Sequence, residues 1–338
     1  MTPWVLHVDL DQFIAAVEVL RHPELRGVPV VVGGDGDPSK RGVVSTASYE
    51  AREYGVHSGM PLRTALSRCP ECVFLPVDAE TYLAASAEVM AVLRESGAVV
   101  EVLGWDEAFL GVQTEDPESF ARRLCASILE KTDLYSSVGI GENKLQAKIA
   151  TGFGKPAGVF RLTSANWFDV LGDRPTDALW GIGSKTAKKL ASLGIDTVRE
   201  LAAADPDSLA KAFGPTTGPW LVLLGRGRGD NEVDPTPYVA RSHGREVTFQ
   251  VNIAQWPQVI EEVTRLARTV ESEVEGSERP VARVVVKVRY APFETETHGA
   301  RLTGSFEEAA LAALELFARR DPVRLLGVRA EFAPEEPP

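Results

Sequence analysis

The feature that most limits what this chain can fold into is an alternation. Over roughly the first 165 residues, short apolar runs alternate with stretches whose apolar positions recur at helical spacing. WVLHV (4–8), VPVVV (28–32), GVVST (42–46), AVVEVLG (98–104), DEAFLGV (106–112) and SSVGI (136–140) read as strands. QFIAAVEVL, with Phe13, Ile14, Val17 and Leu20 on one face, reads as a helix, as do ASYEARE, PLRTALSRC, TYLAASAEVMAVLRES (81–96), PESFARRLCASILEKT (117–132) and NKLQAKIATGF (143–153). Strands alternating with helices of this length predict an α/β layered sheet, parallel or mixed.

The alternation stops near residue 165, where short helices with glycine breaks run to about 230. DNEVDPTPYVARSHG (230–244) has two prolines and no periodicity, and reads as a linker. REVTFQV, QWPQVIEEVTRLARTVESEV, VARVVVKVRY, FEEAALAALELFARR and VRLLGVRAEF then suggest a compact α+β unit, followed by a tail, APEEPP, too polar to fold alone. At 338 residues the chain exceeds one ordinary core, so two to four domains are expected. No apolar run approaches a membrane span, MTPWVLHVDLDQF has no signal-peptide character, and the expected location is the cytoplasm. The net charge of −12 argues against a uniformly basic nucleic-acid binder, so any such contact must come from local clusters. Cys69 and Cys72 form one CxxC with no second ligand pair, and are expected to be buried or indifferent thiols.

Two acidic sites far apart in sequence each adjoin a strand. Asp9 ends the first strand as Asp-Leu-Asp, where alternation puts Asp9 and Asp11 on one side and Leu10 on the other. Asp106 and Glu107 follow AVVEVLG. If those strands are neighbours, three carboxylates converge and repel, raising at least one pKa. Two divalent cations roughly 3.5–4 Å apart would resolve this, and could activate a hydroxyl and stabilise a departing pyrophosphate. Solvated carboxylates at strand ends are the competing reading.

Tyr49 and Arg52 lie three apart on an expected helix, hence on one face, and can grip phosphate. Lys155, between a helix and a strand, could reach the same group. Surface ion pairing of Arg52 with Glu53 or its neighbours is the alternative. GIGSK and GFGKP are neither Walker A loops nor dinucleotide fingerprints. LWGIGSKTAKKLASLGI, however, matches a helix-hairpin-helix, with Gly181 and Gly183 in the turn and Lys185, Lys188 and Lys189 on a basic helix that binds DNA phosphate through backbone N–H groups. In VARVVVKVRY, Arg283, Lys287 and Arg289 face one way and Val284, Val286 and Val288 the other, so the first face suits either a DNA backbone or solvent.

Taken together, HVDLDQFIAAVE, STASYEAREYGV, GWDEAFL, VGIGENKLQAKIATGFGKPAG, LWGIGSKTAKKL and RLLGV resemble the Y-family DNA polymerases, specifically the DinB or polymerase IV class, in order and spacing from residue 4 to about 332. The resemblance implies a multi-domain right-hand polymerase: a ferredoxin-like palm (1–10 and 76–165), small fingers (11–75), a helical helix-hairpin-helix thumb (166–232), a linker (233–242) and an α+β little finger (243–335). By family role, Asp9 and Asp106 ligate both of two Mg²⁺ ions, with Mn²⁺ as an alternative, and Glu107 ligates the catalytic one. The Leu10 carbonyl completes the nucleotide-side ion. Tyr49, Arg52, Lys155 and the Phe13 amide hold the triphosphate. The expected partners are primer-template DNA and a dNTP, with no membrane, in a monomer. Such small fingers imply low fidelity and tolerance of damaged templates.

Three departures stand out. Ile14 occupies the place where the family usually has Phe or Tyr, the ring that blocks a 2′-hydroxyl, so rNTPs are expected as substrates too. Gly104, Trp105 and Gly111 replace residues commonly Ser, Ile and Asp. The chain ends soon after RLLGV without a short hydrophobic clamp-binding peptide, implying weak or no dependence on a sliding clamp. Two competing functions are a non-catalytic Y-family accessory protein that only binds DNA, which the retained carboxylates disfavour, and a template-independent cyclase, which the thumb-like hairpin disfavours.

Overall fold

The computed structural model describes residues 2–334. Met1, and the tail from Glu335 onward, including the last residue of the expected little finger, lie outside the described residues. The chain divides into a larger unit, over 2–37 and 42–237, and a smaller one, comprising 38–41 and the chain from Tyr238.

The larger unit opens with β1 (Thr2–Leu10) and α1 (Phe13–Arg21), followed by β2 (Val30–Val32), β3 (Thr46–Ala47), α2 (Tyr49–Glu53), α3 (Leu62–Arg68) and β4 (Val73–Leu75). Then come α4 (Ala79–Glu95), β5 (Val99–Val102), β6 (Glu107–Thr114), α5 (Pro117–Thr132), β7 (Ser136–Gly141), α6 (Lys144–Gly154) and β8 (Val159–Arg161). A five-stranded sheet has the order β5-β6-β1-β7-β8, antiparallel except between β7 and β8, so the layered sheet is mixed. Alternation along β1 decides its two faces: Leu6, Val8 and Leu10 join Val89, Leu93, Leu124 and Ile128 of α4 and α5 in the main core. Val5, His7 and Asp9 point to the opposite face, where Val5 packs with Phe109 of β6 and Ala147 of α6. Asp78, Asp116 and Asn143 start α4, α5 and α6 by accepting the backbone N–H three residues on.

Two glycines let α6 lie directly on the sheet. A Cβ at Gly139 would stand 2.0 Å from the Ala147 carbonyl oxygen, and one at Gly141 would stand 2.6 Å from the Ala147 nitrogen. Beside this sheet, β3, β2 and β4 form a small sheet with its own core of Val31, Ala51, Leu62 and Ala65. GVVST yields only the short β3, since Val43 makes an isolated bridge to Pro61. Cys69 and Cys72 are joined as a disulfide inside this core, which corrects the expectation of free thiols: the reversal after α3 brings their Cα atoms to 5.4 Å.

The helical region comprises α7 (Trp167–Leu171), α8 (Ser184–Ala191), α9 (Val198–Ala203), α10 (Pro206–Phe213) and α11 (Thr217–Gly225), packed around Leu171, Leu190, Leu201 and Leu221. The start of the expected linker is not loose. Val233 packs against the Val5–Phe109–Ala147 cluster, and the Asp234 N–H donates to Glu101 at 2.8 Å. Gly111 makes room for it, because a Cβ there would stand 3.3 Å from Val233.

The smaller unit contains β9 (Ser242–Ile253), α12 (Trp256–Val274), β10 (Val281–Tyr290), β11 (Thr295–Arg301), α13 (Phe306–Glu315) and β12 (Val323–Phe332). Its antiparallel sheet has the order β11-β10-β12-β9. Val284, Val286, Val288 and Tyr290 pack against α12 and α13, as the alternation of β10 requires. Among the described residues, no helix is long and apolar enough to cross a membrane.

Candidate active site

The β1–β6 register places Asp9 directly opposite Glu107. Asp106 immediately precedes β6, and its carbonyl accepts the Leu10 N–H at 2.9 Å. The strand that meets β1 is β6, which Glu107 itself begins, and not AVVEVLG, whose β5 lies one strand further out; the carboxylates approach through β6 instead. Burial, followed by the charges of Asp9 and Glu107, pushes the Asp106 carboxyl above its ordinary range. Glu107 moves the other way: a hydrogen bond from His7, reinforced by Lys148, holds it at about 2.

Two ammonium groups already offset this negative charge. Lys155, just beyond α6, pairs with Asp9, and Lys148, within α6, pairs with Glu107. One turn earlier, Lys144 reaches Glu101 at 2.8 Å and Asp230 at 2.9 Å. The spacing of Lys144, Lys148 and Thr151 lays one face of α6 over the acidic face of the sheet. His7 is fully buried, with Nδ1 2.8 Å from the Thr151 hydroxyl and Nε2 3.2 Å from Glu107. Burial lowers its pKa, so the ring is neutral at physiological pH. The donor atoms of His7, Asp9 and Glu107 lie within 4.8 Å of one another. Hard carboxylate oxygens concentrated against fixed cations are a suitable donor set for Mg²⁺ or Mn²⁺.

Asp11 does not join this cluster. The chain reverses after β1 through Gln12 at φ 44°, and Asp11 turns inward, 4% exposed. It accepts hydrogen bonds from the Tyr49 hydroxyl (2.8 Å), the Ser137 hydroxyl (3.0 Å) and the Ala157 N–H (2.7 Å). The alternation read from Asp-Leu-Asp fails at this residue because the strand ends at Leu10. Tyr49 and Arg52 do share a face: the guanidinium lies 5.0 Å from the Tyr49 ring centroid while its Nε donates to the Ala47 carbonyl. Burial, then Asp11, pushes the Tyr49 hydroxyl pKa up, so it stays a donor. Phe13 opens α1, placing its amide in the first turn, where N–H groups lack intrahelical acceptors. Ile14 follows it, partly buried at the margin of the main core.

In the hairpin, Gly181 adopts φ 100° and Gly183 precedes α8. Lys185 and Lys188 are exposed, whereas Lys189 donates to the Ala212 carbonyl and lies over the Phe213 ring. The first arm is only a 3₁₀ turn, Thr176–Ala178. The cationic face of β10 also carries acidic partners. Lys287 pairs with Glu246 at 2.7 Å and Arg283 lies 3.7 Å from Glu331, because neighbouring strands bring carboxylates into the same rows. Arg289 donates to the Thr295 hydroxyl. His7 and Lys148 escaped the sequence reading, although three lysines at helical intervals in NKLQAKIATGFGK were a visible signal.

Comparison with known proteins agrees with these features. Residues 8–152 match the impB/mucB/samB family, residues 240–337 its C-terminal domain, and residues 178–218 a SAM-like helix-hairpin-helix tandem. DNA polymerase IV 2 of Mycobacterium tuberculosis is 52% identical over 340 residues, covering 98% of each chain. DNA polymerase IV of Methanoculleus marisnigri is 39% identical, covering 96% of this chain and 93% of the relative. A Y-family DNA polymerase chimera of Dbh and Dpo4 superposes with a TM-score of 0.85 at 28% identity, covering 97% of this chain and 98% of the chimera. An insertion ternary complex of Dbh DNA polymerase superposes with a TM-score of 0.69, covering 97% and 98%. With its sheet, hairpin and separate C-terminal α+β unit, the chain belongs to the Y-family of DNA-directed DNA polymerases, in the DinB class.

Proposed function

We propose that this polymerase performs low-fidelity, template-directed translesion synthesis, adding nucleotides to a primer 3′-hydroxyl with release of pyrophosphate. The observation that carries the reading is the Asp9–Glu107 cross-strand pair with Asp106 beside it, faced by Lys155 and Lys148. Asp9, Asp106 and Glu107, with the Leu10 carbonyl, would hold two divalent ions, Mg²⁺ or Mn²⁺. When bound, these ions supply the positive charge that lowers the pKa of the attacking hydroxyl and stabilises the departing oxyanion. Tyr49, kept protonated, turns its hydroxyl from Asp11 to a phosphate oxygen, Arg52 and the Phe13 amide orient the triphosphate, and Lys155 turns from Asp9 to the phosphates. Palm, fingers, thumb and little finger take the ranges 1–10 with 76–165, 11–75, 166–232 and 243–335. Gly181, Gly183, Lys185 and Lys188 grip duplex backbone, joined by Arg283, Lys287 and Arg289.

Ile14 supports a further element: with no aromatic ring beside Phe13, the sugar pocket admits ribonucleotides as well as deoxyribonucleotides. The protein acts in the cytoplasm as a monomer. Primer extension on a defined template with dNTPs and rNTPs tests the reading, using wild type and Asp106→Ala. Templated extension is expected from the wild type with both nucleotide types, and none from Asp106→Ala. Extension persisting in Asp106→Ala sinks the mechanism, and a product unrelated to the template sinks the function.

A further inference from the structure

Glu107, whose carboxylate lies near that of Asp9, is held by two groups that come from outside its own strand. Lys148 on α6 donates to Glu107 Oε2, His7 Nε2 lies 3.2 Å from that same oxygen, and Lys148 Nζ lies 3.2 Å from His7 Nε2. The His7 ring is itself fixed, since Thr151, three residues after Lys148 on α6, sits 2.8 Å from Nδ1. With the ring proton on Nε2, His7 donates to Glu107 and the Thr151 hydroxyl serves Nδ1. The Lys148 side chain is only 20% exposed and that of Glu107 26%, so the pair is sheltered from solvent screening. α6 reaches this position only because Gly139 and Gly141 leave no Cβ between helix and sheet. Lys155 has a separate partner in Asp9. Lys148 is therefore the cation dedicated to Glu107.

We propose that Lys148 is a positioning residue, which with His7 aims the Glu107 carboxylate into the reaction centre while its own charge opposes cation binding there. The inference rests on the reading of Asp9, Asp106 and Glu107 as the metal site. Its signature is a split that a purely structural residue does not produce. Removing one positive charge beside the carboxylates strengthens divalent-ion binding, yet the freed Glu107 swings and turnover slows.

The test uses the full-length protein with Lys148→Met, Lys148→Gln and Lys148→Arg. Free Mn²⁺ is titrated by electron paramagnetic resonance, and kcat for primer extension is measured at saturating Mg²⁺. Lys148→Met is expected to bind Mn²⁺ about tenfold more tightly and to lose about tenfold or more in kcat. Lys148→Arg, which keeps the charge, is expected to retain the wild-type Mn²⁺ affinity and recover most of kcat. Lys148→Gln, neutral but still an N–H donor, carries the affinity test should Lys148→Met fail to fold. Unchanged or weaker Mn²⁺ binding in the folded neutral variants, or wild-type kcat in them, overturns the proposal. Asp106→Ala is the separate control: if it binds Mn²⁺ as the wild type does, the metal reading fails, and not merely the role of Lys148.

Discussion

Asp9 and Glu107 stand opposite each other on adjacent antiparallel strands, and each is met by a different lysine from α6 or its C-terminal end. One helix thus balances an acidic cluster on the sheet it covers. The arrangement depends on how closely that helix approaches, and several measurable consequences follow from its geometry.

Helix approach is tested at Gly139. A methyl group there meets the Ala147 carbonyl at 2.0 Å, a backbone contact that no rotamer relieves. Gly139→Ala should cost about 3 kcal/mol or more in urea denaturation and depress primer extension, because Lys148 and Lys155 move with α6. Gly152, in the same helix, has nothing within 4 Å of its Cβ position. Gly152→Ala should therefore stabilise by about 0.5–1 kcal/mol. Equal effects of the two substitutions would contradict the packing argument.

Asp11 is expected to matter for stability. Replacing it by Ala strands the Tyr49 and Ser137 hydroxyls and the Ala157 N–H, a loss of about 3 kcal/mol. Asp11→Asn, which keeps an acceptor oxygen, should lose less than half as much. If Asp11→Ala melts like wild type, the triple acceptor role is wrong.

The raised pKa of Asp106 fixes the sign of a pH effect in the metal-free protein. A folded-state value above the unfolded one means that the ionised carboxylate destabilises the fold at neutral pH. Asp106→Asn should thus melt higher than wild type at pH 7 without metal. That advantage should fade as pH falls through the raised folded value toward the ordinary one, since wild type then protonates. Glu107 has the opposite sign: its contribution is present above about pH 4.5 and lost as pH falls toward its folded value of about 2. Added Mg²⁺ should reverse the ranking at pH 7 by stabilising wild type alone. Calorimetry at several pH values, with and without Mg²⁺, measures all of this.

Sugar selection is expected to respond to Ile14. Ile14→Tyr should raise the preference for dNTP over rNTP by at least about tenfold, the equivalent of ~1.4 kcal/mol of restored clash. Single-nucleotide kcat/KM values decide it. A wild-type ratio already in the thousands, unmoved by the substitution, removes Ile14 from the selection.

Much of this architecture could be read locally. Periods of two and 3.6 placed β10, β12 and α5 at their observed bounds, because binary patterning records which face of an element is buried. Two strands were not legible: β4 has three residues, and β11, polar and half exposed, carries no apolar alternation. Asp9, Asp106 and Glu107 stood out as acidic residues at strand ends, a property of neighbours in sequence. Their convergence was a matter for the tertiary structure, since strand order depends on long-range pairing and not on local period. The same holds for the inward turn of Asp11, the carboxylates among Arg283 and Lys287, the Cys69–Cys72 bond and the reach of Lys148 to Glu107. By itself the sequence determined which acidic side chains stand at strand ends and the elements that carry them. Only the packing of α6 onto Gly139 and Gly141, and of β6 against β1, decided which charges meet, because the interaction energy of two ions depends on a separation and a burial that neither residue specifies alone.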